Sequence, residues 1–365
     1  AYELAIRAAE LDSKRENYLL WAGQLARRQG DDDRALEFTR KAWEMKPGDH
    51  DLTLAYADLL ARTGQPEAAR DLLATMEQTP DVLLSRILFE LSAEDRPAAL
   101  VIYEEFKLME FESSNEKAFY LGQSADALGL YEDAIDAFAN IKRGRYFLAA
   151  MARSAELMAG IGDIEGARKI LAILRSQPDA TVVQQAWLTE SQILQQAGQP
   201  AAAIETLNQA LLEFPRSTVL HYSRALVAAE QGNIELAEAD LLLVLSNDPE
   251  NAAALNALGY TLADQTDRLD EAEDLIQRAY DLSPDDAAIT DSMGWVAFKK
   301  GRLEEAEAYL RQAFALDSNP EIAAHLGEVL WEMGRKDEAR AIWDDAISAG
   351  AENAVLDATM ERLLP

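Results

Sequence analysis

No cysteine occurs in the 365 residues of the chain, which excludes disulfides, thiolate catalysis and Cys-ligated zinc within it. Histidine is nearly as scarce. His50, His221 and His325 fall in different parts of the chain, none belongs to the two-histidine helical spacing that binds zinc, and each reads as a surface or packing residue. Long apolar runs are missing too: the richest, Leu241-Leu242-Leu243-Val244-Leu245, is far short of the roughly 18 residues that a membrane-spanning helix needs. Basic residues are in deficit, 34 Lys and Arg against 65 Asp and Glu, for a formal net charge of -31. Such a chain repels a phosphate backbone, because affinity for nucleic acid comes largely from Lys and Arg displacing counterions, so no nucleic-acid partner is expected.

Catalytic signatures are absent as well. There is no phosphate-cradling glycine loop followed by Lys, no strained serine elbow and no calcium loop with its central Gly. Acidic pairs such as Asp285-Asp286 and Asp344-Asp345 read as helix starts or outer faces, and favourable interaction with a helix dipole accounts for Asp285-Asp286 without acid–base work. The expectation is therefore a chain without catalytic residues, cofactor or metal.

With 49% hydrophobic and 27% charged residues spread evenly, the chain has material for a continuous core. Charge is not even. Residues 1–182 carry 22 basic and 32 acidic side chains, residues 183–365 carry 12 and 33, so two thirds of the net negative charge lies in the second half, where a basic partner would be steered in.

The dominant pattern is self-similarity. A small residue, a bulky one four positions on and a small or apolar one three further recur at Ala35-Thr39-Ala42, Ala134-Phe138-Ile141, Ala203-Leu207-Ala210, Ala272-Ile276-Ala279, Ala306-Leu310-Ala313 and Ala339-Trp343-Ala346. Weaker copies begin at Ala69, Ala99, Ala167 and Ala237, and the ten alanines are separated by 30 to 36 residues. Five residues before eight of them stands a Gly (Gly30, Gly64, Gly129, Gly162, Gly198, Gly232, Gly301, Gly334), suited to the left-handed residue that ends a helix. A second Gly, twelve before, appears at Gly23, Gly122, Gly294 and Gly327, with Gly259 shifted by one, and would let two helices approach. Pro47, Pro215, Pro249 and Pro284 follow the second helix, which a residue without an N–H cannot continue.

This period and its offsets resemble the tetratricopeptide-repeat family over essentially the whole chain. The resemblance implies an all-α, right-handed superhelical solenoid of about ten helix pairs, the first helix of each lining a concave groove and the second forming the outer wall. Counting back 34 from Ala35 reaches Ala1, so the sequence is expected to open inside the second helix of a further pair, as part of a longer polypeptide. Asn353 to Leu364 reads as a capping helix. The 30-residue interval from Ala69 to Ala99 lacks its Gly, and Ser113-Ser114-Asn115 looks like a helix cap after it, so a kink is expected near 78–115 and a division into segments 1–110 and 111–365. Asp264-Gln265-Thr266-Asp267-Arg268 makes one turn a residue longer than its neighbours.

In the Gly-anchored register the groove-facing positions of the C-terminal repeats include Tyr222, Leu226, Asn256, Tyr260, Asp291, Trp295, Phe298, Glu328 and Trp331, an aromatic strip with an acidic edge. Trp187 and Trp343 are expected to pack between helices instead. Tetratricopeptide co-chaperones that clamp a C-terminal carboxylate use Lys, Asn and Arg on successive groove helices. Here the matching positions are mostly Ala, Leu, Gln, Asp and aromatics, which speaks against such a clamp.

A narrower resemblance rests on Asn256-Ala257-Leu258-Gly259-Tyr260-Thr261-Leu262-Ala263-Asp264, Pro284-Asp285-Asp286-Ala287-Ala288-Ile289, Asp291-Ser292-Met293-Gly294-Trp295-Val296 and Pro320-Glu321-Ile322-Ala323-Ala324-His325-Leu326-Gly327-Glu328-Val329-Leu330-Trp331. Over about residues 250–346 the chain resembles a proteobacterial group of tetratricopeptide outer-membrane lipoproteins. That resemblance implies a lipid-anchored periplasmic adaptor, its anchoring cysteine upstream of Ala1, which binds a carboxyl-terminal processing serine protease and presents substrates such as cell-wall hydrolases. The competing readings are a structural scaffold of an envelope secretion or polysaccharide-export complex, and the repeat portion of a peptidase or transferase.

Overall fold

The computed structural model describes residues 2–11, 15–348 and 354–364, and every described element is a helix or a connecting turn. The chain divides into two compact units, residues 1–174 and 175–365.

The first unit opens with α1 (Tyr2–Leu11), followed by the pairs α2 (Glu16–Arg28) with α3 (Asp32–Met45) and α4 (His50–Arg62) with α5 (Pro66–Thr75). Next come α6 (Pro80–Ser92) with α7 (Arg96–Leu108), α8 (Ser114–Ala127) with α9 (Tyr131–Ala139), and α10 (Phe147–Gly160) with α11 (Ile164–Arg175). The second unit holds α12 (Ala180–Gln196) with α13 (Pro200–Glu213), α14 (Thr218–Glu230) with α15 (Ile234–Asn247), and α16 (Ala252–Gln265) with α17 (Leu269–Leu282). It ends on α18 (Ala287–Lys299) with α19 (Leu303–Leu316), α20 (Pro320–Glu332) with α21 (Lys336–Ser348), and α22 (Ala354–Leu363). Among the described residues this is the expected all-α tetratricopeptide-type solenoid, ten pairs with a helix before and a helix after. Ala1 and Asn353, where the opening and capping helices were expected to start, lie outside the described residues.

Local chemistry sets the helix ends. Starts are fixed by side chains that accept a backbone N–H of the first turn: Asp49 from Leu52 at 3.0 Å, Ser113 from Glu116 at 3.1 Å, Asn251 from Ala254 at 2.9 Å. The eight glycines five residues before the key alanines all have φ between 69° and 87°. In the turn from α14 to α15, Gly232 takes this left-handed conformation and the next amide, Asn233 N–H, reaches back to Ala228 O at 2.9 Å, satisfying a carbonyl the helix leaves free. The irregular copy has Glu94 at the same offset before Ala99. Glu94 adopts φ 59°, the one positive value at a non-glycine among the described residues, and Asp95 N–H still bonds Glu90 O at 2.9 Å.

The second glycine and the bulky residue four after the key alanine are partners. A Cβ on Gly294 would stand 2.5 Å from Leu310 Cγ and 3.2 Å from the Ala306 carbonyl; one on Gly259 would stand 2.5 Å from Ile276 Cγ1. On Gly122 it would strike Phe138, and on Gly327 it would strike Trp343. Each pair is thus a knob from the second helix seated on a bare stretch of the first. The knobs Phe138, Ile276, Leu310 and Trp343 are all buried, as are the key alanines. Among the described residues no helix is long and apolar enough to cross a membrane.

Candidate protein-binding groove

In the second unit the first helices follow one another side by side: α14 meets α16, α16 meets α18, α18 meets α20, and α20 meets α22. The repeat period makes this geometry. Residues 34 or so apart stand at equivalent heights on adjacent first helices, so a side chain on one can reach its counterpart on the next.

A cavity of about 560 Å³ opens among these helices. Its walls are Tyr222 and Leu226 from α14, Asn256 and Tyr260 from α16, and Ile289 and Asp291 from α18. Asn319, Glu321 and Ile322 close it at the start of α20, with Ser283 and Asp286 from the turn before α18. Asp286 is the cap of α18, its carboxylate accepting from Ala288 N–H at 2.9 Å and Ile289 N–H at 3.1 Å, in keeping with the dipole role read from sequence. Leu226 is 37% exposed and is the exposed large apolar side chain on the wall. A second cavity of about 340 Å³ shares Tyr260 with the first and is lined also by Asp264, Trp295, His325, Glu328 and Arg362.

Polar side chains pair between the helices around these openings. Asp291 is 5% exposed and His325 1% exposed, and the imidazole Nδ1 lies 2.9 and 3.0 Å from the two carboxylate oxygens. Trp295 stacks on the His325 ring with centroids 4.1 Å apart and planes at 22°, and its indole N–H donates to Asp264 at 3.2 Å. The Tyr260 hydroxyl donates to Glu321 at 3.4 Å, and the Arg362 guanidinium donates to Glu328 at 2.6 Å. Burial works against a charged imidazole, but the Asp291 carboxylate, with Glu321 and Glu328 nearby, outweighs it and holds His325 above its usual value. Burial, then the charges of Glu321, Asp264 and Asp291, push the Tyr260 hydroxyl up; burial and Asp286 do the same to Tyr222. The Ser292 hydroxyl donates to the Ala288 carbonyl at 3.0 Å. Among the described residues no group of three His, Asp or Glu side chains is placed to hold a metal ion.

Of the nine residues expected to face the groove, Tyr222, Leu226, Asn256, Tyr260 and Asp291 line the larger cavity, and Tyr260, Trp295 and Glu328 line the smaller. Phe298 and Trp331 line neither: Phe298 packs on Trp295 at 5.2 Å, and Trp331 lies 5.8 Å from Trp343 with Lys336 4.5 Å from its centroid. Asp291 and Glu328, expected at an acidic edge, are instead buried and paired. Trp295 is 6% exposed and forms wall rather than a free anchor. Trp343 packs between helices as expected, with no exposed surface. Glu321 and Arg362 were not named as site residues from the sequence, and His325 was read only as a surface or packing residue. The signal that would have found two of them is the period itself, since Asp291 to His325 and Glu328 to Arg362 are both complementary pairs 34 residues apart.

Two family profiles, each described as tetratricopeptide repeat, match residues 26–81 and 297–363 in one case and 188–249 and 222–287 in the other, together more than half of the chain. A TPR repeat-containing protein of Pseudomonas aeruginosa is 40% identical over 211 residues, 58% of this chain and 35% of that protein. The matched stretch thus spans about a third of that relative's length. A crystal structure of a tetratricopeptide repeat protein from Parabacteroides merdae is similar with a TM-score of 0.56, 16% identity and coverage of 69% of this chain and 99% of that one, a likeness of fold. A thermophilic TPR protein of Thermus thermophilus is 26% identical, with a TM-score of 0.45 over 50% of this chain and 98% of that one.

Proposed function

We propose, from the premise that this chain belongs to the tetratricopeptide-repeat family, that it is a non-catalytic adaptor which holds protein partners in the groove of α14, α16, α18 and α20. The observation that carries this reading is the 560 Å³ cavity, formed by four successive first helices and walled by Tyr222, Leu226 and Tyr260 together with amide and carboxylate groups. Binding sites of this kind are concave, largely apolar and fitted with a few polar groups that fix orientation. Stacked repeats present such a surface at fixed spacing.

The finer proposal is that the partner is a carboxyl-terminal processing serine protease of the periplasm, which the chain assembles and stimulates while presenting protein substrates such as cell-wall hydrolases from an outer-membrane, lipid-anchored position. Its support is the resemblance over residues 250–346, the stretch that contributes most of both cavity walls. The test is direct. The purified chain is immobilised, exposed to an envelope extract, and the retained proteins are identified for the unaltered protein and for Leu226→Arg, which places a cation on the accessible wall. Retention of the protease by the unaltered chain alone, together with faster proteolysis of a protein substrate when purified chain is added, is the expected result. Recovery of secretion or polysaccharide-export subunits without a protease would replace the adaptor reading by the scaffold one.

A further inference from the structure

Resting on the reading of this groove as a protein-binding site, we infer that the larger cavity receives an arginine side chain of the partner. Three acidic residues, Asp286, Asp291 and Glu321, line it, and no Lys, Arg or His does. Asp291 is committed to His325 and Asp286 to the cap of α18, which leaves Glu321 as the carboxylate with the lightest engagement, one 3.4 Å bond from Tyr260. Among the described residues no ion pair is made by Glu321 or Asp286, although the protein forms ion pairs freely elsewhere in this unit, from Arg268 with Glu238 to Arg335 with Glu307. An independent observation agrees. Asn256, on the cavity wall, keeps its Oδ1 buried with no hydrogen-bond partner. A buried acceptor without a donor is costly, and turning the Asn256 amide toward a ligand that brings N–H groups relieves it.

These features select among cations. A lysine ammonium is a compact, strongly hydrated point charge, whereas a guanidinium is planar, sheds water more readily and offers five N–H donors in a fixed fork. The acceptors here are dispersed: Asn256 on α16, Glu321 on α20 and Asp286 before α18. The cavity is too large for an ammonium alone, and Tyr222 and Tyr260 supply aromatic faces of the kind on which a guanidinium stacks. Leu226, Ile289 and Ile322 add apolar wall for the aliphatic stem and for a neighbouring apolar residue of the partner.

The probe is a capped peptide of sequence Ala-Leu-Arg-Leu-Ala, with versions carrying Lys or citrulline in place of Arg, titrated into the full chain labelled with carbon-13 at the isoleucine methyls. The Ile289 and Ile322 methyls report the cavity directly. Saturable shifts of both with the Arg peptide, at least tenfold weaker binding of the Lys and citrulline versions, and a similar loss in Glu321→Gln with an unchanged melting curve are expected. Equal binding of Arg and citrulline peptides at these methyls, lost in Leu226→Arg, would overturn the inference while leaving the groove reading intact. Shifts with the Lys peptide equal to those with Arg would replace guanidinium by general cation recognition and overturn it likewise. Absence of any shift at Ile289 and Ile322 would also overturn it, and the protease-retention experiment with Leu226→Arg then decides separately whether the groove binds protein at all.

Discussion

The pair α18 and α19 and the pair α6 and α7 solve the same packing problem with different residues. In the first, Gly294 leaves space for Leu310 and Gly301 turns the chain at φ 77°. In the second, the corresponding offsets hold Ile87 and Glu94: a buried branched side chain where the other has a bare backbone, and a carboxylate residue forced into the left-handed conformation. The irregular pair closes with aromatic bulk, Tyr103 and Phe106, both buried, with the Tyr103 hydroxyl donating to Asp133 at 3.0 Å. The difference teaches that the two glycines do separate jobs. The turn can be made without its glycine at a conformational cost, whereas in α18 it is the bare backbone of Gly294 that leaves room for Leu310.

The strongest way to break this account is to remove a knob where the approach is closest. Trp343, fully buried against Gly327, should cost about 3–5 kcal/mol on substitution by Ala, read as a fall in the denaturation midpoint. A loss below about 1 kcal/mol would show that the knob fills no essential space. Adding bulk to the opposite surface is the next effect in size. Gly294→Ala, whose new carbon would stand 2.5 Å from Leu310 Cγ and 3.2 Å from a backbone oxygen, should cost about 1–3 kcal/mol, and Leu310→Ala in the same chain should make the added methyl nearly harmless. Simple addition of the two losses would contradict the knob-and-gap pairing.

The turn supplies a change of opposite sign. Glu94→Gly should stabilise by roughly 1 kcal/mol, because a non-glycine residue at φ 59° carries about that much strain, while Gly301→Ala should cost a similar amount. Equal and small effects at both positions would erase the distinction between the pairs.

Much of this was readable from the sequence, and the reason is periodicity. The helix pairs, the left-handed glycines, the facing glycines and the caps at Ser113 and Asp286 are each fixed by a residue type at a set offset, so local chemistry is enough. Glu94 shows where that stops: nothing about a glutamate announces positive φ, and the turn is imposed by the helices on either side. The groove was half legible. Helical register placed Tyr222, Leu226, Asn256 and Tyr260 on the accessible wall, but register gives only the direction of a side chain and not what covers it. Asp291 and Trp295 point the same way and are covered, because the next first helix brings His325 over both. A contact between helices depends on two residues at once, and reading positions one at a time missed it.

The smallest expected effect sharpens the contrast between buried and accessible parts of the groove. His325 is held above its ordinary value by Asp291, so it binds its proton more tightly folded than unfolded. Its contribution to stability is therefore fully present below the unfolded value, near 6.5, and is lost as the pH rises through the higher folded value. Melting temperatures of the unaltered chain should decline across that interval relative to His325→Gln, which lacks the titration. Parallel curves for the two proteins would show that the pair does not change its protonation with folding.

Photocrosslinking distinguishes the face built by α14, α16, α18 and α20 from the outer wall as the place where protein partners are held. A benzophenone amino acid is placed at Leu226, on the cavity wall, or at Leu212 on the second helix α13, which is 85% exposed and therefore the more accessible of the two. Crosslinks to a retained partner from position 226 and none from 212 are the predicted result; crosslinks from 212 with none from 226 would place the partner on the outer wall and contradict the account.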